Sequence, residues 1–195
     1  MTQPYHHGAL REALIGAAEA VLERDGIAAL TLRAAAREAG VSHAAPAHHF
    51  GNLSGLLSAL AAQGYGRFRT RILAEIAAAA SGPESRAIAL GRGYVGFAQA
   101  SPGLFQLMFR SEQLDWSDPG LAAAGAAAIG LMMPANAVAS APPSLADLVA
   151  AMTHWSMAHG LASLLIDGRF AAVAEEMAPG VDVEMLIGKV LSGAQ

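Results

Sequence analysis

Cysteine is absent from the 195-residue sequence, which removes disulfide frameworks, Cys-ligated zinc, iron–sulfur clusters and thiol nucleophiles together. Charge is scarce as well: Asp, Glu, Lys and Arg make up 14% of the chain against 54% hydrophobic residues. That balance excludes intrinsic disorder and leaves a chain long enough to bury a real core. Basic residues are outnumbered, 12 Lys and Arg against 16 Asp and Glu, so a uniformly basic coat for nucleic acid is missing. The start, Met1-Thr2-Gln3-Pro4-Tyr5-His6-His7, lacks the basic-then-apolar pattern of a signal peptide. A soluble cytoplasmic protein is the expectation.

Two stretches carry no Asp, Glu, Lys or Arg, and each is weighed as a membrane span. Residues 119–146 hold Pro119, Pro134, Pro142 and Pro143 and are dominated by Ala and Gly, a poor spanning sequence. Residues 148–166 reach the minimum crossing length, yet contain Thr153, His154, Ser156, His159 and Ser163 and are flanked by Asp147 and Asp167. A helix apolar nearly all round is also what a protein interior accepts. Burial is the expectation, with no membrane partner.

Charge is unevenly placed. Residues 1–71 hold seven arginines against five acids, an excess of two positive charges, and five of the seven histidines. Residues 72–195 hold five basic against eleven acidic residues. A mildly cationic, His-rich front and an acidic rear suggest two tasks in one chain.

The front reads as short helices. Leu10, Leu14, Ala17, Ala18, Val21 and Leu22 recur at helical spacing over 9–25, and Gly26 is placed to end that helix. Thr31 caps a second helix, Leu32 to Ala39. Gly40-Val41-Ser42 reads as a tight turn with Gly40 at positive φ, and Ser42 caps a third helix running to about His49, with Pro46 at its fourth position. Phe50 is an apolar anchor and Asn52 caps a long fourth helix. Two short helices around a glycine turn are the geometry of a helix-turn-helix, and equally of a helical hairpin in a bundle.

In the rear, Pro83 to Ala100 reads as a helix burying Leu90, Tyr94 and Phe97. Ser101 caps the next and Pro102 starts it, with Leu104, Phe105, Leu107, Met108 and Phe109, and Asp118-Pro119 opens another, ended or kinked at Pro134. Ser144 to Asp167, stopped by Gly168, spans about 36 Å if helical. A final helix is expected from near Val183 to Leu191. Seven of the eight methionines lie beyond residue 100, soft side chains suited to a pocket wall or to core filling. Trp155 and His159 share a helix face with Met152; for His159, ligand contact and a satisfied core histidine both stand. Ala158, Gly160, Ala162 and Ser163 are small enough for a close helix approach.

Tyr5-His6-His7-Gly8-Ala9-Leu10-Arg11, Gly26-Ile27-Ala28-Ala29-Leu30-Thr31-Leu32-Arg33 and Ala39-Gly40-Val41-Ser42 with His49-Phe50 resemble, in order and spacing, the DNA-binding half of TetR-type transcriptional regulators. Ser101-Pro102-Gly103-Leu104-Phe105 and Trp155-Ser156-Met157-Ala158-His159-Gly160-Leu161 resemble the C-terminal domain of the subgroup marked by a Trp…His-Gly motif. The resemblance implies an all-α homodimer, with a helix-turn-helix DNA-binding domain at 1–52 and a helical ligand-binding and dimerisation domain at 53–195. The two are joined by a long helix from about 53 to 80. It implies a double-stranded operator and a small apolar effector as partners, with no cofactor, no metal and no catalysis.

With the third helix in the major groove, Ser42, His43, Ala44, Pro46, His48 and His49 are the candidate base and backbone contacts. Thr31 and Arg33 are candidates for phosphate, and His6 and His7 for an arm contact. The resemblance puts Tyr at Ala47 and Lys at Leu53, both phosphate contacts, and this chain has lost both. Electrostatic affinity is therefore expected to be low, with histidines supplying part of the charge, so that binding strengthens as pH falls. Equal operator affinity at pH 6 and pH 8 would overturn that. The histidines lack the i, i+4 spacing of a paired metal site. The candidate ligand contacts are Phe97, Phe105, Met108, Phe109, Met132, Met152, Trp155 and His159. Two other readings stand beside the regulator: a ligand-binding helical protein with a weakened DNA-binding head, and an all-α enzyme. Against the enzyme, no Gly-rich phosphate loop, His-Glu-x-x-His or Gly-x-Ser-x-Gly occurs.

Overall fold

The computed structural model describes residues 6–133 and 143–193, and every regular element among them is helical. The helices are α1 (His6–Asp25), α2 (Leu32–Glu38), α3 (Ala45–Phe50), α4 (Leu53–Ala78), α5 (Pro83–Ala100), α6 (Pro102–Arg110), α7 (Pro119–Ile129), α8 (Leu145–Ile166), α9 (Arg169–Met177) and α10 (Val183–Ser192). By contact they form two compact units, Met1–Gly66 with Ser101–Gly125, and Arg67–Ala100 with Ala126–Gln195. The first unit takes in α6 and the start of α7 beside the N-terminal helices, and α6 packs on α1.

In the first unit the core comes from Leu14, Ile15, Ala18 and Leu22 of α1, Ala34–Ala36 of α2, Leu56, Leu57 and Leu60 of α4, and Leu104, Phe105 and Leu107 of α6. Small side chains on α2 let it lie close on α1. Gly26, at φ +80°, ends α1 with its N–H on the Leu22 carbonyl at 3.0 Å. Thr31 caps α2 as expected, its Oγ1 accepting the Ala34 N–H at 3.0 Å. Asn52 caps α4, accepting the Gly55 N–H at 2.9 Å. At α6 the expected cap fails: Ser101 makes no side-chain cap bond. Glu23 of α1 takes that place, its carboxylate accepting the Gly103 and Leu104 N–H groups at 2.9 Å each. Deep in this unit Tyr65 donates its hydroxyl to the Met108 carbonyl at 2.9 Å, and burial pushes its pKa up to about 12.

The second unit is built around α5 and α8, which pack on each other and on α10. Its buried side chains include Phe68 and Ile72 of α4, Tyr94 and Phe97 of α5, Ala151, Ala158, Leu161 and Ala162 of α8, and Ile187 and Leu191 of α10. Gly93 is required where α4 and α5 meet, since a Cβ there would stand 2.7 Å from the Ile72 Cα. Ser144 and Asp147 form a reciprocal capping box at the start of α8, and Gly168, at φ +70°, follows its end. The serine hydrogen bonds hold the Asp147 carboxyl below the usual carboxylate range. α9 is a helix beyond those expected, although Phe170, Val173, Ala174 and Met177 recur at helical spacing. Pro134, expected to end or kink α7, lies outside the described residues; α7 gives way to a 3-10 turn at Gly130–Met132. No helix among the described residues is long and apolar enough to cross a membrane.

Candidate nucleic-acid interface and ligand-binding residues

α3 is shorter than its sequence suggests. It begins at Ala45, after a turn in which the Ser42 carbonyl accepts the Ala45 N–H at 3.0 Å, and Ser42 is not its cap. Pro46 explains the shift, for it lacks the N–H that a helix begun at Ser42 would direct to that carbonyl. As the second helical residue it sacrifices no bond. Gly40 takes φ +67° in the preceding turn, as expected.

Burial then sorts the candidate DNA contacts. Ser42, His43, Ala44 and His48 are exposed on the turn and on α3, with Ala47 beside them. Pro46 is buried, which corrects its candidacy: it packs inward and does not present its ring to a base. His49 is half-buried, its ring 5.6 Å from that of His48 and 6.2 Å from that of Phe50. Thr31 and Arg33 are exposed on α2, the Thr31 oxygen already serving as cap. The side chains of His6 and His7 lie outside the described residues. The Arg11 guanidinium stands 5.3 Å over the Phe50 ring, at the edge of a cleft of about 510 Å³ lined also by Glu12, His49, Gln63 and Asp118. No group of three His, Asp or Glu among the described residues is placed to hold a metal ion.

The eight candidate ligand residues divide between the units. Phe105, Met108 and Phe109 belong to the first, where the two rings are 4.9 Å apart and Phe109 meets Tyr65 at 5.7 Å. Phe97, Met132, Met152, Trp155 and His159 belong to the second. There Phe97 is buried against Phe68, at 5.3 Å between rings. Trp155 and His159 come together on the α5 side of α8, whereas Met152 is 45% exposed and stands apart from them. Three clefts among the described residues, of about 510, 370 and 340 Å³, are lined by none of the eight.

What joins Trp155 to His159 is Tyr94. Its ring is fully buried, its oxygen accepts the Trp155 indole N–H at 3.2 Å, and it lies 2.8 Å from Nδ1 of His159. An indole can only donate, so the arrangement is satisfied when Tyr94 donates to Nδ1 and the neutral imidazole carries its proton on Nε2. The periodicity marked Tyr94 as buried; the need of a buried phenol for a polar partner was the signal that would have linked it to the motif on α8.

Two family models match the chain: "Bacterial regulatory proteins, tetR family" over residues 14–60, and "Tetracyclin repressor-like, C-terminal domain" over residues 87–185. Among solved structures, a protein with unknown function from Rhodococcus sp. RHA1 is 33% identical, with 98% of each chain covered and a TM-score of 0.73. The transcriptional regulator SCO7222, a TetR from Streptomyces coelicolor, is 19% identical over 94% of this chain and 96% of its own, with a TM-score of 0.57. The TetR-like transcriptional regulator LfrR from Mycobacterium smegmatis, in complex with proflavine, is 22% identical over 89% of this chain and 98% of its own, with a TM-score of 0.53. No curated protein matches. The chain belongs to the TetR family of bacterial regulatory proteins. It is therefore a DNA-binding transcription regulator and not an enzyme, in a family whose members act as dimers and often answer to small ligands.

Proposed function

We propose that the protein is a repressor that grips a pseudo-palindromic operator through α3 and the start of α2, and lets go when a small apolar molecule binds its rear unit. The exposure of Ser42, His43, Ala44 and His48 on one turn-and-helix surface, away from the core-facing Pro46, carries this reading. His43 and His48 are suited to guanine O6 or N7, and Ala44 to a thymine methyl. Thr31 and Arg33 supply backbone contacts. Leu145, Leu148, Val149 and Met152 of α8 and Met185 of α10 are exposed apolar side chains that a second copy of the chain would cover. Two reading heads would then enter successive major grooves about 34–36 Å apart. The effector acts by population shift, favouring a conformation whose head spacing mismatches the operator. The fold neighbour solved with proflavine, a flat aromatic molecule, supports a small-molecule effector at the level of fold.

Selection from a random duplex pool at low salt tests this. One palindrome should be recovered, and His43→Ala should lower affinity for it about 5- to 100-fold with the thermal midpoint unchanged. Sequence-independent binding would sink the proposal, and an unaffected His43→Ala protein would show that α3 is oriented otherwise.

A further inference from the structure

The excess of positive charge in the front of the chain is small, but the fold concentrates it. The acids of the head are drawn into internal contacts, Glu12, Glu23, Asp25 and Glu38 among them. Glu12 accepts the Gln63 amide at 2.7 Å, Glu23 caps α6, and Asp25 and Glu38 share the Arg24 guanidinium at 2.9 and 3.1 Å. Arg24 is thereby consumed, and Arg11 is laid over Phe50 beside Glu12. Two arginines of the head remain exposed on α2, Arg33 and Arg37, and neither side chain makes an ion pair or hydrogen bond among the described residues.

They stand four residues apart, on one face of the helix and about 6 Å from each other along its axis. Like charges at that spacing repel, and the carboxylate nearest in sequence, Glu38, is turned towards α1 by Arg24. A fold that engages its local acids elsewhere and leaves two adjacent guanidinium groups uncompensated has built a surface for an anion with regularly spaced charges. Duplex DNA offers one negative charge per 3.4 Å of axis on each strand. Arg33 lies two residues from the Thr31 cap and Arg37 in the last turn of α2, whereas Ala47 and Leu53 bring no charge to the reading head.

We infer that Arg37 is a phosphate contact that acts with Arg33 to clamp one DNA strand, and that this pair carries the salt dependence of binding. The inference rests on the DNA-reading function proposed above and adds a residue outside the recognition surface assigned there.

The test is a salt series of duplex binding by fluorescence anisotropy, with two probes: the palindrome enriched by the unaltered protein, and a random duplex of equal length. Arg37→Ala should weaken binding to both by a similar factor. It should also flatten the slope of log affinity against log salt by about 0.9 per phosphate contact, hence about 1.8 for a dimer altered in both subunits. Arg37→Lys should keep most of the slope, and Arg169→Ala, an exposed change on α9, should leave both probes unaffected. An unchanged slope in Arg37→Ala overturns the clamp while leaving the regulator intact, as does a loss confined to the palindrome. Failure of the unaltered protein to enrich any duplex overturns the regulator reading and the clamp with it.

Discussion

Gly55→Ala is expected to abolish sequence-specific DNA binding and to lower stability by about 2–4 kcal/mol. Gly55 sits in the first turn of α4, directly over the end of α3, and a Cβ built there would overlap the carbonyl oxygen of Phe50. The obstacle is backbone, so no rotamer change relieves it. Either α4 frays at its capped start, losing the Asn52 bond to the Gly55 N–H, or the last residues of α3 move. His48 and His49 ride on those residues, so the reading surface shifts in either case. Gly16→Ala is the control: Gly16 is exposed in α1 with open space where the Cβ would go, and alanine there should stabilise by about 0.5–1 kcal/mol. Thermal melts and anisotropy titrations of the two variants, measured side by side, check both signs. A Gly55→Ala protein that melts and binds like the original would show that the α3–α4 junction yields easily.

The second large effect is expected at Tyr94. Tyr94→Ala removes a fully buried ring that meets Phe68 edge-on at 5.0 Å and should cost about 3–5 kcal/mol. Tyr94→Phe keeps the ring and separates out the hydroxyl. It leaves the Trp155 indole N–H and His159 Nδ1 without that partner, a cost of about 1–3 kcal/mol. If the hydroxyl matters mainly by holding His159, then His159→Ala and Tyr94→Phe combined should cost less than the sum of the single changes. Denaturant melts of the four proteins decide this, and strict additivity would mean that Tyr94 and His159 act independently.

The Tyr94 bridge also shows where sequence reading stops. Spacing placed Tyr94 on the buried face of α5, and the Trp…His-Gly resemblance singled out Trp155 and His159 on α8, but nothing local connects residues 61 and 65 positions apart. Met152 illustrates the converse. It shares the i, i+3 and i, i+7 spacing of that face, yet the buried stripe of α8 runs through Ala151, Ala158 and Ala162, and the small rotation leaves Met152 at the surface. Pro46 failed for a related reason. Once the missing N–H moved the helix start to Ala45, the ring turned inward.

The sequence by itself determined the all-helical class, the glycine turn, the caps at Thr31 and Asn52, and the family, because these depend on local backbone chemistry and on residues close in the chain. Only the tertiary structure decided that Glu23 caps α6, that Arg24 draws off Asp25 and Glu38, and that Tyr94 ties α5 to α8. Those contacts join residues 14 to 81 positions apart, apart from the adjacent Arg24–Asp25 pair. They depend on which helix faces meet, which is settled by packing the whole core and not by the preferences of any one segment.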